Sequence, residues 1–220
     1  MPAPDMSFGE ELDRVLPADL PRRAAVVEIA ARHLELIVEA NRQFNLTRIT
    51  GAREAAIKHV LDSVIPWERF SRARQVLDAG SGAGFPGIPL ALVLPDVRFT
   101  LSESIGKKAR FISAAARELG LKNVEVAGER AEEVLRSGRA DIVTARAVAP
   151  MGRAGRLFGP ALKRGTRALL YKGPDVASEI AEAEAELRSL HLQAAIVMHY
   201  ELPDNAGSRT VVEMRAVGGG

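Results

Sequence analysis

The stretch VLDAGSGAGFPGIPLAL, residues 76–92, holds four glycines within eight residues and is the most informative part of the chain. A short apolar run precedes the glycines and a longer apolar run follows them, which is typical of a strand, a turn and a helix. A turn at the carboxyl end of such a strand lies where open α/β sheets bind ligands. The stretch therefore predicts an α/β sheet with a binding site at this turn.

Strand-like and helical runs alternate after residue 75, as expected for a parallel sheet with helices on both faces. We expect about seven strands in this part of the chain. The predicted strands are 75–80, 97–104, 123–129, 141–148, 166–172, 192–202 and 209–216. The predicted helices after residue 75 are 88–94, 107–119, 131–135 and 178–190.

The chain before residue 75 has a helical pattern. Ser7 and Glu10 are spaced as a capping box, Pro21 suits a helix start, and apolar residues recur at helical spacing between 27 and 44. Residues 51–66 form a further helical segment. We therefore expect a helical N-terminal extension, 1–74, that covers one edge of the sheet of a second unit, 75–220.

Composition excludes several classes of protein. The 220 residues are 47% hydrophobic and carry a formal charge of +2, so the chain can bury a core and has no overall basic character. The absence of cysteine excludes thiolate metal sites and cysteine nucleophiles, and the four histidines form no metal-ligand pattern. We expect no metal, no membrane span, no secretion signal and a cytoplasmic location.

Two glycine fingerprints overlap in the opening stretch. From Gly82 the letters GAGFPG match the dinucleotide pattern G-x-G-x-x-G, whereas from Asp78 they match D-x-G-x-G-x-G, which resembles the cofactor loop of S-adenosylmethionine-dependent methyltransferases. The early acidic residue and the prolines at 86 and 89, which lack the N–H groups that a diphosphate needs, favour the second pattern.

A carboxylate after the second predicted strand supports a nucleoside cofactor. Glu103 follows Gly84 by 19 residues, where this fold class places an acceptor for ribose hydroxyls, and both candidate cofactors contain a ribose. The run ERAEEV after the third strand lies where an adenine would bind. Glu132 and Glu133 there are equally compatible with an acidic first turn of a helix.

Several ordered motifs together resemble one family. The motifs VLDAGSGAGFPGIPLAL, ESIGKKARF, RAEEV and TARAVAP, with FNLTRI and KHVLDS upstream, resemble the RsmG family, also called glucose-inhibited division protein B. The resemblance runs from about residue 41 to 172. It implies a class I S-adenosylmethionine-dependent methyltransferase with a Rossmann-like fold, which methylates the seven-position nitrogen of one guanosine in a loop of 16S ribosomal RNA.

The resemblance also implies roles for individual residues. It places Gly80 and Phe85 on the cofactor, Glu103 near the ribose and Ala131 near the adenine, and it places Arg146 at the mouth of the cofactor pocket. Many members have aspartate at the position of Glu103, and the tyrosine before Lys172 is a second departure. The complete predicted cofactor set is Asp78, Gly80, Gly82, Phe85, Glu103, Ala131, Glu132 and Arg146.

The chemistry of this reaction agrees with what the chain lacks. The seven-position nitrogen of guanine carries a free lone pair, so methyl transfer needs alignment and no general base. Arg146 is the candidate catalytic residue, in a positioning role. The chain has neither the cysteine used in pyrimidine carbon methylation nor an Asn/Asp-Pro-Pro-aromatic run after the fourth strand, whereas ribose methylation stays open.

Basic residues are concentrated in two places. Residues 141–175 hold seven basic and two acidic side chains, a net charge of +5, and a second basic cluster follows the second predicted strand. Such clusters suit phosphate contacts with a folded RNA. The predicted RNA-binding residues are Lys107, Lys108, Arg153 and Lys172.

Other functions are compatible with parts of the pattern. The chain could methylate another RNA position or a small molecule, hold a nicotinamide dinucleotide at residues 82–87, or bind RNA without catalysis. His59, in KHVLDS, is expected to pack or to form a hydrogen bond rather than to carry protons. We expect ribosomal RNA or the small ribosomal subunit as the partner, and a monomer.

Overall fold

The computed structural model describes residues 6–138, 140–146 and 149–218. Residues 147 and 148 of the predicted fourth strand, and the outermost residues of the two predicted units, 1–5 and 219–220, lie outside this range. The strands are β1 (Gln75–Ala79), β2 (Arg98–Ser102), β3 (Val124–Ala127), β4 (Ile142–Arg146), β5 (Arg167–Lys172), β6 (Leu192–Leu202) and β7 (Gly207–Ala216). All seven lie where the sequence predicts them.

The helices lie before and between the strands. They are α1 (Phe8–Val15), α2 (Arg23–Asn41), α3 (Ala52–Ala55), α4 (Asp62–Val64), α5 (Gly87–Val93), α6 (Gly106–Glu118), α7 (Ala131–Ser137), α8 (Met151–Leu162) and α9 (Val176–Ser189). A π-helical segment (Ala56–Leu61) joins α3 to α4, and a 3-10 turn (Trp67–Arg69) precedes the sheet. The predicted capping box is present at α1, because the Ser7 N–H donates to Glu10 at 2.8 Å and the Glu10 N–H donates to Ser7 Oγ at 3.3 Å.

The strands form one sheet in the order β3-β2-β1-β4-β5-β7-β6. Strands β1 to β5 are parallel, and β7 runs antiparallel to both β5 and β6. The strand order reverses between β1 and β4, so the loops after these strands diverge and leave a crevice at the carboxyl edge. The expected mostly parallel, seven-stranded sheet is confirmed.

Two apolar layers cover the sheet. On one face, buried side chains of α5 and α6 pack against strand residues such as Phe99 and Leu169. On the other face, α7, α8 and α9 pack against residues such as Val143 and Leu170. The alternating direction of strand side chains supplies both layers, which fits strands that are buried on both sides.

The N-terminal helices lie over a face of the sheet. Leu12, Val26 and Leu34 belong to the same buried cluster as Ile88 and Phe99; α2 adds an outer layer on α5, and α1 packs against α2 and the π-helical segment. The N-terminal segment also contacts one edge of the sheet, at β6, where the Arg69 guanidinium donates to the Val197 carbonyl at 2.6 Å and the Tyr200 hydroxyl donates to the Asp62 carboxylate at 2.9 Å. The apolar stripe of α2 needs a broad apolar partner, which a sheet edge does not provide.

Helix α8 was not predicted. Its sequence, MGRAGRLFGPAL, contains three glycines and a proline within the helix, all of which are poor helix formers. The glycines permit close packing instead: a Cβ on Gly155 would lie 2.7 Å from Leu187 Cδ2 of α9. Tertiary packing therefore overrides local propensity in this segment.

Replacement of Gly155 tests this packing. Gly155→Ala should lower the free energy of unfolding by about 1 kcal/mol, because overpacking exceeds the gain in helix propensity. Gly9→Ala in α1 is the matched control, since the nearest atom to its added Cβ lies 4.0 Å away. The control should be neutral or stabilising in urea unfolding. Equal shifts for both variants would contradict the packing argument.

Candidate active site

The glycine turn connects β1 to α5. Gly80, Gly82 and Gly84 have positive φ angles of 72°, 61° and 100°, a region that residues with a Cβ rarely adopt. At Gly84 an added Cβ would also lie 2.6 Å from Ile88 Cδ1. The glycines of the motif are therefore required by the path of the backbone.

Asp78 lies beneath this turn. Its side chain is fully buried, and one carboxylate oxygen accepts the Gly87 N–H at 2.9 Å, while the other has no partner. Burial raises the pKa of Asp78 to about 6, against the opposing effect of the Gly87 N–H and the Arg146 charge. Asp78, predicted to contact a cofactor, lines neither of the cavities described below.

Glu103 clamps the turn from the neighbouring strand. One of its carboxylate oxygens accepts the Gly82 N–H at 3.0 Å and the other accepts the Ile105 N–H at 2.8 Å. The side chain is buried, yet each oxygen keeps a lone pair for a further donor. Glu103 therefore joins the glycine turn to the loop after β2.

Two cavities meet at Gly80. The β2–α7 cavity has a volume of about 160 Å³ and the π-helix cavity one of about 470 Å³. The β2–α7 cavity is lined by Gly80, Ser102, Ser104, Ala131, Glu132 and Arg153, among others. The π-helix cavity is lined by His59, Asp62, Gly80, Phe85, Arg146 and Lys172, among others. The structure thus brings together predicted residues from four loops along one elongated crevice.

Phe85 forms the apolar centre of the π-helix cavity. Its ring stacks on the His59 ring at a centroid distance of 4.5 Å and tilts against His33 at 5.0 Å. The Arg146 guanidinium carbon lies 5.4 Å from the Phe85 centroid. These contacts hold the ring and the guanidinium beside each other at the cavity wall.

Arg146 is anchored by the π-helical segment. Its Nη1 donates to the Lys58 carbonyl at 2.9 Å and to the Asp62 carboxylate at 3.3 Å. Asp62 is nearly fully buried and also accepts the Tyr200 hydroxyl at 2.9 Å and Arg209 Nε at 3.4 Å. A buried carboxylate thus holds two guanidinium groups at one end of the crevice.

Sequence reasoning missed three members of this cluster. Asp62, Tyr200 and Arg209 were not selected, although Asp62 belongs to the KHVLDS motif. Spacing offers no signal for the other two, because Arg209 is 147 residues from Asp62 along the chain. Only the return of the C-terminal hairpin beside β5 brings them to the site.

The histidines of the site are neutral. Burial lowers the pKa of His33 to about 4, and burial with the Arg146 charge lowers the pKa of His59 to about 3. His33 Nε2 lies 2.9 Å from the Ala83 carbonyl, and His59 Nε2 lies 3.1 Å from Thr47 Oγ1. His59 therefore packs and forms a hydrogen bond, as expected.

The predicted RNA-binding residues differ in their surroundings. Lys107 is exposed, with its ammonium group 5.5 Å from the Phe44 centroid, and Arg153 is exposed at the rim of the β2–α7 cavity. Lys108 is partly buried. The structure brings Lys107 and Lys108 to the start of α6, close to Glu103 in the chain.

Lys172 is engaged within the protein. Its ammonium group donates to the Ala149 carbonyl at 2.6 Å and to Glu179 at 2.7 Å. It still lines the π-helix cavity. Its charge is therefore partly compensated at the cavity rim.

The described residues provide neither a metal-binding cluster nor a membrane-spanning helix. Within residues 6–138, 140–146 and 149–218, no cluster of three or more His, Cys, Asp or Glu side chains could hold a metal ion. In the same described ranges, no helix is long and apolar enough to cross a membrane.

The fold and the crevice define a class of protein. The strand order, the glycine turn after β1 and the carboxylate after β2 are those of a class I methyltransferase. The solved O-methyltransferase TomG of Streptomyces achromogenes, in complex with SAM, shares this fold with a TM-score of 0.53. The likeness covers 93% of this chain and 92% of TomG at 17% identity.

Sequence comparison defines the family more narrowly. A family model described as rRNA small subunit methyltransferase G matches residues 27–208. The chain is 63% identical to the ribosomal RNA small subunit methyltransferase G of Solibacter usitatus, over 96% of this chain and 100% of that protein. It is 36% identical to the protein of the same name from Carboxydothermus hydrogenoformans, over 84% of this chain and 81% of that protein. The chain belongs to the rRNA small subunit methyltransferase G family, as its motifs predicted.

The low pKa of His33 predicts a pH-dependent stability. Because the pKa is about 4 in the folded chain and 6.5 in the unfolded chain, acid protonates the unfolded state first. The contribution of neutral His33 to the free energy of unfolding is therefore fully present above pH 6.5 and is lost as the pH falls toward 4.

His33→Gln removes this titration and keeps an N–H donor for the Ala83 carbonyl. Between pH 6.5 and pH 4 the free energy of unfolding should fall in both proteins. The fall should be smaller in the variant, by about 3 kcal/mol, because the variant lacks the His33 contribution. Asp78, whose raised pKa acts in the opposite direction, is present in both proteins and cancels in the difference. Urea unfolding across the window measures both slopes, and parallel slopes would exclude a buried neutral His33.

Proposed function

We propose that this chain transfers a methyl group from S-adenosylmethionine to the seven-position nitrogen of one guanosine in 16S ribosomal RNA. Membership of the rRNA small subunit methyltransferase G family is the observation that carries the proposal. The chain acts in the cytoplasm as a monomer, on ribosomal RNA or the small ribosomal subunit.

The crevice around Gly80 fits S-adenosylmethionine. The exposed glycine backbone allows close approach where a Cβ would obstruct a ligand. The Glu103 carboxylate, which lies between the cavity-lining residues Ser102 and Ser104 without lining a cavity itself, has lone pairs left for ribose hydroxyls. Ala131 and Glu132 at the start of α7 lie where an adenine would bind. In this proposal the β2–α7 cavity holds the nucleoside of the cofactor, and the π-helix cavity holds its amino-acid portion and the acceptor guanosine.

The remaining cofactor residues act on the other side of Gly80. Gly82 and Phe85 line the π-helix cavity and bind the amino-acid portion. Asp78 acts indirectly, since it supports the turn from below through the Gly87 N–H. We therefore assign Asp78 a positioning role instead of a cofactor contact.

Methyl transfer at this nitrogen requires alignment more than proton chemistry. When bound, S-adenosylmethionine supplies an electrophilic methyl group on a sulfonium. The guanine nitrogen already has a free lone pair, so the chain needs no general base. The low pKa of His59 agrees with this, because the neutral ring serves to hold Phe85.

Arg146 positions the guanosine. Only its Nη1 is hydrogen-bonded within the described part of the chain, to Lys58 and Asp62, so its other N–H groups are available for the substrate. Arginine is a common donor to the oxygen-bearing edge of guanine and to phosphate. A guanosine that enters the π-helix cavity is thereby oriented beside Phe85.

Basic residues at the rim of the crevice and at the start of α6 contact the RNA backbone. Arg153 lies at the rim of the β2–α7 cavity and Lys172 at the rim of the π-helix cavity, and Lys107 and Lys108 lie at the start of α6. The described part of the helical extension, residues 6–74, supplies one wall of the acceptor cavity of the methyltransferase unit through the π-helical segment.

Transfer of labelled methyl groups tests the proposed function. Purified small ribosomal subunits from a strain that lacks the related methyltransferase should accept label from S-adenosylmethionine, and digestion should recover it as 7-methylguanosine. Label in another nucleotide would contradict the position. Binding of S-adenosylmethionine without transfer to any RNA would contradict the RNA substrate.

Substitution of Glu103 tests the cofactor assignment. Glu103→Gln should weaken S-adenosylmethionine binding by about 10- to 100-fold, because hydrogen bonds to a charged acceptor contribute about 1.5–3 kcal/mol. Glu125→Gln, an exposed residue on the adjacent strand β3, is the matched control. Isothermal titration measures both affinities, and unchanged binding in Glu103→Gln would reject the ribose assignment.

A further inference from the structure

A groove separate from the crevice lies between α2 and α6 on the outer helical layer. This α2–α6 groove has a volume of about 510 Å³. Its lining includes Leu36, Ala40, Phe44, Lys107, Arg110 and Phe111. None of these residues lines either cavity at Gly80.

The floor of the groove is apolar and aromatic. The rings of Phe44 and Phe111 pack on the core from below and remain partly exposed above it. Ala40 and Ala114 keep the space between the helices open. Planar rings set in a shallow groove are suited to stacking with a nucleobase.

The groove is electrically asymmetric. At one end, Lys107 and Arg110 are exposed and form no ion pair within the described residues. At the other end, Glu39 and Glu118 are both paired with Arg32, at 3.2 Å and 2.6 Å, so their charges are compensated. An occupant with an aromatic ring and one anionic group matches this arrangement.

The groove adjoins the acceptor cavity through one short loop. Phe44 lies in the groove, and Leu46 and Thr47 in the same loop line the π-helix cavity. Two residues of extended chain span at most about 7 Å. An RNA strand that places a guanosine in the cavity can therefore reach the groove with a neighbouring nucleotide.

We propose that the α2–α6 groove binds one unpaired nucleobase of the RNA substrate that flanks the target guanosine. The base stacks on Phe44, and the Lys107 ammonium, which lies 5.5 Å from the centroid of that ring, moves to the phosphate beside Arg110. The groove thus adds a second contact that selects RNA in which two nearby bases are unpaired. This inference rests on the proposed RNA methylation.

Two variants test the groove. Phe44→Leu keeps an apolar side chain but removes the ring, and the double variant Lys107→Gln with Arg110→Gln removes both charges. Each should raise the KM for RNA by about tenfold, the effect of losing a base–aromatic or phosphate contact, with kcat and the affinity for S-adenosylmethionine unchanged. Binding of RNA to the double variant should also release about two fewer counterions, which is measured as a smaller slope of log K against log salt concentration.

Lys122→Gln is the matched charge control. Lys122 is exposed in the loop after α6 and is not among the residues that line the groove, so the change should leave the KM for RNA unaltered. The unfolding midpoint of Phe44→Leu shows whether this variant is folded. The double variant changes only exposed residues, so it tests the groove even if Phe44→Leu is destabilised. A KM equal to that of the parent chain in both variants would overturn the proposal.

Crosslinking identifies the occupant. Gln43→p-benzoylphenylalanine places a photoreactive ring at the rim of the groove and should crosslink to a 16S nucleotide close to the methylated guanosine. A crosslink to a ribosomal protein instead would overturn the RNA assignment of the groove. If the parent chain methylates no RNA, the proposed function fails, whereas methylation without an effect of the groove variants rejects only the groove.

Discussion

The hydrogen bond between the Gly87 N–H and the buried Asp78 carboxylate holds the turn on which the crevice depends. Glu103 holds the same turn from β2 through the Gly82 N–H, so two carboxylates define the path of a glycine-rich segment. The approach of Asp78 is possible only because residue 87 lacks a side chain, since a Cβ there would lie 2.7 Å from the carboxylate. Burial without a second partner raises the pKa of Asp78 to about 6, a cost that the ordered turn compensates.

A second buried carboxylate joins the two ends of the chain at the site. Asp62 belongs to the N-terminal helices, Arg146 to β4, and Tyr200 and Arg209 to the C-terminal hairpin. Removal of one partner from such a cluster leaves a buried charge uncompensated. The N-terminal helices and the hairpin therefore both contribute to the wall of the π-helix cavity.

The local sequence pattern predicted those helices and strands whose tertiary packing agrees with the intrinsic propensity of their residues. The apolar run of β1, the glycines that follow it and the capping box of α1 all lie where expected. Helix α8 was missed because its glycines oppose helix formation and only contact with α9 favours it. The pattern predicted the N-terminal helices, whereas their packing on α5 and at the β6 edge depends on contacts between distant segments.

The sequence by itself determined the mostly parallel α/β sheet and the glycine turn, because strand periodicity and glycine spacing are properties of short segments. Its ordered motifs, by their resemblance, identified the family. It also located Glu103 and Arg146 at the carboxyl edge, since both directly follow or end a strand there. Only the tertiary structure decided that Asp78 supports the turn from beneath and that Asp62 binds two arginines. The physical reason is that burial and pairing depend on which distant segments meet, as with Asp62 and Arg209, 147 residues apart.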